Sequence, residues 1–200
     1  MERAPNAWDR FYRYQVAPWR GERDFGPAKP FLRGRVLELG CGNGKSLKSL
    51  RHLGLDAVGL DVSFNVLERL GEGVLANATH LPFAHDTFDT VLDIHCCGHL
   101  PRAGREQAIA EQLRVLRPGG HLVVERLGSL DLRATKGTAL EPQFLQLEDG
   151  RCTHFPTQDE LHGEYGGDWT VVHAESTKRT PLLRGQKVTR ESHLLVLQRT

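Results

Sequence analysis

The chain has 200 residues, of which 39% are hydrophobic, enough for one core-forming domain with embellishments and too few for several. Lys and Arg total 26 against 25 Asp and Glu, and a formal charge of +1 gives no bulk electrostatic case for a nucleic-acid partner. No apolar run approaches the roughly 20 residues of a membrane span, and the opening MERAPNAWDR lacks a signal-type apolar stretch, so the expectation is a cytoplasmic protein, one domain over 1–200, with no membrane contact.

Residues 1–30 carry no sheet signal but concentrate Trp8, Phe11, Tyr12, Tyr14 and Trp19. Trp8, Phe11 and Tyr12 share one helical face. Two readings stand: an amphipathic helix packed over a sheet edge, or an aromatic lid whose Trp8, Tyr12 and Trp19 line a substrate pocket. Next comes the stretch from Arg35 to Leu47, RVLELGCGNGKSL, in which a doubly buried strand runs into a glycine turn and then a helix over Lys45–Leu53. Alternating Gly40, Gly42 and Gly44 let bare N–H groups approach a ligand at a helix N-terminus, a cradle suited to a nucleoside.

The segment 56–61, DAVGLD, is a second buried strand, ending on Asp61, 21 positions after Gly40. A carboxylate there can accept two hydrogen bonds from a ribose diol. Beyond it the pattern predicts a helix over Val62–Leu70, short strands at 73–77 and 87–94, an amphipathic helix over Ala103–Leu116 with Ala108, Ile109, Leu113 and Leu116 inward, and a fifth strand over Gly120–Arg126. Residues 127–156 read as a polar, weakly periodic insertion on the substrate side. A short capped helix at Thr157–Gly163 then precedes strands at Trp169–Ala174 and Ser192–Gln198. Such alternation demands a parallel sheet with right-handed crossovers, helices covering both faces.

A dinucleotide fingerprint, G-x-G-x-x-G, would need a glycine where Lys45 stands. The pattern here is E-x-G-x-G-x-G, which resembles motif I of the class I S-adenosylmethionine (SAM)-dependent methyltransferases. NATHLPF at 77–83 and LRPGG at 116–120 are similar to later motifs of that family. The resemblance implies a three-layer, doubly wound, Rossmann-like α/β fold with a seven-stranded, mostly parallel sheet of order 3-2-1-4-5-7-6 and an antiparallel seventh strand. SAM is the implied cofactor. Glu38 would hold its amino-acid end, with Gly40, Cys41, Gly42 and Gly44 forming the loop. Asp61 and Val62 would meet the ribose, and Asn77 and Ala78 the adenine.

The fourth strand ends in DIHCCGHL, where the family commonly shows H-x-x-E-H-L. By that resemblance His95 lies beside the methionine part of SAM and His99 one helical turn away. His95 reads as a cofactor-wall residue, with general base or structural histidine as alternatives; both histidines are candidate catalytic groups. Gly98 replaces the family's glutamate. Lys178, Arg179, Arg184, Lys187 and Arg190 would rim the opening, either as a solvated charge run or as recognition of an anion, with Arg184 as a substrate contact. Cys41, Cys96, Cys97 and Cys152 make no C-x-x-C spacing and read as reduced thiols, and no metal is expected. A small-molecule acceptor is expected. The W…Y…PW run is similar to small tellurite- and thiol-type methyltransferases and favours that reading. The alternatives are tRNA with a small activator subunit, from resemblance to the tRNA wobble-uridine methyltransferases, or a non-catalytic SAM-binding module, from the departure at Gly98.

Overall fold

Val36, Leu37 and Leu39 have no exposed surface, which places β1 (Arg35–Leu39) at the centre of the sheet, as a strand apolar on both faces requires. This is a computed structural model describing residues 7–15 and 18–200. The chain begins with α1 (Ala7–Tyr14) and a 3-10 turn at Gly26–Phe31. After β1 come α2 (Lys45–His52), β2 (Asp56–Asp61), α3 (Phe64–Leu70), β3 (Val74–Leu75), β4 (Phe88–Ile94), a 3-10 turn at Cys97–His99, α4 (Arg102–Val115) and β5 (Leu116–Leu127). A 3-10 turn at Leu132–Thr135 leads to β6 (Thr138–Glu141), β7 (Phe144–Gln146) and β8 (Cys152–His154), then α5 (Gln158–Gly163). The chain closes with β9 (Trp169–Arg179), β10 (Leu182–Leu183), β11 (Gln186–Lys187) and β12 (Arg190–Arg199).

The main sheet has the order β3-β2-β1-β4-β5-β12-β9. β12 runs antiparallel to both neighbours, β5 and β9. This is the expected 3-2-1-4-5-7-6 arrangement, with β9 and β12 as sixth and seventh strands because short strands intervene. The chain winds outward from β1 in one direction to β3 and in the other to β5, so a crevice opens at their carboxyl ends, where such sheets bind ligands. Among the described residues no helix is long and apolar enough to cross a membrane.

Several elements depart from expectation for local reasons. Ser63 caps α3, its Oγ accepting from Val66 N at 3.4 Å, so the helix starts two residues later than Val62. α4 buries Arg105, Ala108, Gln112 and Val115, whereas Ile109 and Leu113 are only half-buried. Its inner face is half polar because partners wait beneath it. Gln112 Nε2 donates to Asp93 Oδ2 at 3.0 Å, and Arg105 Nε donates to Glu164 Oε1 at 2.6 Å. The insertion is not structureless either: β6, β7 and β8 form a three-stranded antiparallel sheet. Strands of three or four residues are too short to display a period of two.

α1 forms where helical spacing placed it and docks on α3. Asp9 Oδ1 accepts from Ser63 Oγ at 2.7 Å, and Asn65 Nδ2 donates to the Asp9 carbonyl at 3.3 Å. Arg69 donates to the carbonyls of Tyr12 and Arg13 at the other end, where cations suit a helix C-terminus.

Candidate active site

A cavity of about 1070 Å³ opens at the carboxyl ends of β1, β2, β4 and β5. That exceeds the roughly 300–1,000 Å³ typical of a single small-ligand pocket, so two ligands have room. Its first wall is the glycine turn. Gly40 and Gly42 have φ of +64° and +53°. A Cβ on Gly42 would stand 2.8 Å from Tyr12 Oη, and one on Gly40 2.8 Å from Cys96 Sγ. Both conformation and space therefore demand glycine. Gly44 serves differently: it starts α2 at φ +77°, packed beneath Leu70, and does not reach the cavity.

Asp61 closes this loop from below. Its Oδ2 accepts from Gly42 N and its Oδ1 from Ser63 N, each at 2.9 Å. Burial raises its pKa, opposed by hydrogen bonds from the backbone amides of Ser63, Gly42 and Val62. Three amides thus occupy three of the carboxylate's roughly four acceptor sites and leave about one for a ligand. Glu38, 4% exposed, also lines the cavity. Burial lifts its carboxyl to about 8, moderated by a hydrogen bond from Ser46, and Oε2 has no partner among the described residues. Cys41, Val62, Asn77 and Ala78 complete this wall. Asn77 Oδ1 accepts from Thr79 N at 3.1 Å.

His95 occupies the end of β4 at φ +59°, a left-handed conformation rare outside glycine. Its backbone N donates to the Glu125 carbonyl at 2.9 Å and its Nε2 lies 3.2 Å from Glu125 Oε1. Arg23 binds the other oxygen of the same carboxylate. Burial alone would raise Glu125, but the hydrogen bond and charge of His95 and the charge of Arg23 hold it at about 2. His99 is a different kind of histidine. Nδ1 sits 2.5 Å from the Cys152 carbonyl and the ring meets Trp8 edge-on at 4.6 Å. Burial, partly countered by that hydrogen bond, pushes its pKa down to about 4, so it is neutral at pH 7.

Trp8, Tyr12 and Trp19 all line the cavity. The Trp19 carbonyl accepts from Asn43 Nδ2 at 2.8 Å, tying this segment to the glycine turn. Arg151, from the β7–β8 turn, spreads over Phe11 at 4.3 Å and Trp8 at 5.1 Å.

Arg184 does not reach the cavity; it stands exposed between β10 and β11 at φ +48°. Of the five basic residues expected at the rim, Arg179 and Arg190 line the cavity. Sequence reasoning missed Arg23, Glu125, Asp131, Arg133 and Arg151. Glu125 lies at a strand's carboxyl end, a position that could have flagged it. The others sit in segments without periodicity. Asp93, Cys96 and Cys97 approach one another as metal ligands would. The Asp93 carboxylate is, however, consumed by Arg126 at 2.5 and 3.0 Å, Cys97 N at 2.9 Å and Gln112 at 3.0 Å, and all four cysteines are free thiols. Arg126 packs closely on Gly98: a Cβ there would stand 3.0 Å from Arg126 Cδ, so any larger side chain requires the Arg126 side chain to shift.

A glycine cradle at the switch point of a doubly wound sheet, with a buried carboxylate closing it from the second strand, defines an α/β protein that takes an adenosine-bearing cofactor. A family model described as a methyltransferase domain matches residues 37–124. Ubiquinone biosynthesis O-methyltransferase of Mesorhizobium japonicum is 32% identical over 187 residues, covering 86% of this chain and 74% of the relative. Methyltransferase GfsG of Streptomyces halstedii is 39% identical over 117 residues, 50% of this chain and 41% of the relative. A tRNA N(3)-methylcytidine methyltransferase of Schizosaccharomyces pombe is 25% identical over 174 residues, 76% of this chain and 57% of the relative. The chain thus spans less than two thirds of the length of the last two. In three dimensions a SAM-dependent methyltransferase from Methanosarcina mazei superposes with a TM-score of 0.73 at 19% identity, over 88% of this chain and 98% of that one. The chain belongs to the SAM-dependent methyltransferases, and SAM is its cofactor.

Proposed function

We propose that the protein methylates a small-molecule acceptor held between the aromatic helix α1 and the insertion β6–β8. The observation that carries this reading is the roof: Trp8, Tyr12 and Trp19 cover the cavity from one side while Arg151 of the insertion stacks on Trp8 and Phe11. A covered cavity excludes water and suits an acceptor small enough to be enclosed.

The residues present fit the cofactor. The unpartnered Glu38 Oε2 offers a buried acceptor for a cationic amine. Gly40 and Gly42 leave space a Cβ would fill, and Asp61 retains an acceptor site for a ribose hydroxyl. Asn77, Ala78, Cys41 and Val62 would flank the base and ribose. When bound, SAM supplies a methyl group already activated on its sulfonium. What remains for the chain is alignment and proton removal, and alignment alone is worth on the order of 7–11 kcal/mol.

Glu125 fixes the orientation of His95 by accepting from Nε2–H, which leaves Nδ1 as the ring's acceptor. Nδ1 would take the proton of an acceptor hydroxyl or amine, and the Glu125 carboxylate would stabilise the imidazolium that results. His99, neutral and held between the Cys152 carbonyl and Trp8, would shape the wall rather than transfer protons. To test the reading, methyl-labelled SAM is incubated with the protein and either a metabolite extract or total tRNA. Label entering the small-molecule fraction is expected; label entering RNA instead would overturn it.

A further inference from the structure

Beneath the cavity mouth Asp131, 1% exposed, holds two arginines at once. Arg133 Nε donates to Oδ1 at 3.2 Å and Arg190 Nε to Oδ2 at 2.7 Å. Both guanidinia are gripped by Nε, so among the described residues their terminal nitrogens have no protein partner. Both line the cavity, and Arg179, directly opposite Arg190 in the β9–β12 register, lines it with them. The other carboxylate nearby, Glu191, accepts from Leu130 N at 2.8 Å. Three guanidinia therefore meet two carboxylates, one of them wholly buried.

A solvated charge run needs no buried carboxylate to organise it. Sinking Asp131 beneath the surface is costly, and pairing it with two arginines sets two like charges side by side, an arrangement that a second anion would relieve. Burial, together with the charges of Arg190 and Arg151, also lowers the pKa of Arg133. By contrast Arg126 is spent on Asp93 and Arg151 on Asp149 and the aromatic rings, which leaves the Asp131 clip, with Arg179 beside it, as the cations on this side of the cavity. Guanidinium forks presented by their terminal N–H groups match a carboxylate bidentately.

We propose that Arg133 and Arg190, clipped in parallel by Asp131, form an anion subsite at the mouth of the cavity, and that the methyl acceptor is a small molecule bearing a carboxylate. This rests on the small-molecule reading above and adds the acceptor's chemical class. The test titrates protein saturated with S-adenosylhomocysteine (SAH) with benzoate and with benzamide, which share a ring and differ in charge. Benzoate is expected to bind about tenfold more tightly, a difference of about 1.4 kcal/mol. The preference should collapse towards onefold in Arg133→Gln and in Arg190→Gln and persist in Arg184→Gln, whose side chain lies off the cavity. Circular dichroism and SAH affinity identify folded variants, and the half-exposed Arg133 carries the test if the Arg190 variant does not fold. Equal affinity for the two probes, no detectable benzoate binding, a preference that survives in the folded variants, or one also lost in Arg184→Gln overturns the subsite. Tighter binding of total tRNA than of benzoate, lost in the same two variants, would overturn the carboxylate assignment in favour of an RNA phosphate. Failure of the wild type to bind SAH would instead overturn the cofactor site itself, a result distinguishable from loss of the benzoate preference alone.

Discussion

Glu38 is a buried acid with one oxygen unpartnered, and its energetics run against the stability of the free protein. Burial lifts its pKa from an ordinary 4.5 to about 8 in the fold, so the native state holds the proton more tightly than the unfolded one. Its contribution to stability is fully present below pH 4.5 and is lost as pH rises through about 8. Glu38→Gln is expected to abolish that loss and to be the more stable protein above pH 8 in urea titrations, while binding SAH more weakly. A cationic amine favours the ionised acid, so the wild type's SAH affinity should rise across the same window with proton uptake by buffer, and the variant's should not. A stability difference independent of pH would show that Glu38 is already ionised in the free protein. His95 obeys another logic: in the proposed mechanism it takes a proton from the acceptor. His95→Ala should lower kcat by about 10²–10⁴-fold with SAH affinity nearly unchanged, read by single-turnover kinetics and calorimetry. These residues were legible in the sequence for different reasons. A positive φ at Gly40 and Gly42 forces residue identity, and Asp61 is fixed by its place at a strand end. Glu125 was not read, because its pairing with His95 and Arg23 is distant in sequence.

α1 illustrates how an element can be visible in sequence while its role is not. Spacing placed Trp8, Phe11 and Tyr12 on one face, but the bonds that set that face over the cavity come from α3, more than fifty positions away. The docking joins a few part-buried polar contacts to an apolar cluster in which Tyr12 packs with Cys41, Leu47, Val66 and Leu67. Arg69→Ala removes the donor to the Tyr12 and Arg13 carbonyls. The expected outcome is red-shifted emission from Trp8 and Trp19 and a raised acceptor KM, with the urea midpoint of the sheet moved by less than about 1 kcal/mol equivalent. Unchanged emission would mean that the aromatic contacts alone hold the helix. α4 shows the opposite failure. The inward face was expected to be Ala108, Ile109, Leu113 and Leu116, yet the polar Arg105 and Gln112 turn inward to partners on other elements. Likewise the strands of the insertion are held by pairing with one another, Phe144 and Phe155 being buried beside them, with too few residues in each for a pattern.

At the scale of the whole molecule the parallel sheet with helices on both faces was readable from the alternation of strands and helices, and its strand order from the family resemblance, but the polar centre was not. Asp93 and Arg126, with side chains 0% and 2% exposed, join β4 to β5. Cys97 N and Gln112 add the following turn and α4 to the same carboxylate, so four elements meet at one ion pair. Burial would raise the Asp93 pKa, but the charge and hydrogen bonds of Arg126 lower it. With the folded value depressed, the pair's contribution is present above the ordinary aspartate value of 3.8 and is lost as pH falls through the folded value. Asp93→Asn removes the charge while leaving Arg126 buried, and should cost about 3–5 kcal/mol in urea unfolding. The apolar double replacement Asp93→Leu with Arg126→Met removes both charges together, so it should recover much of that loss and show a shallower decline in acid than the wild type. If the double variant is no more stable than Asp93→Asn, the hydrogen bonds from Cys97 N and Gln112 Nε2 carry more of the stabilisation than the ion pair, since leucine loses both whereas the single oxygen of asparagine still accepts one of them.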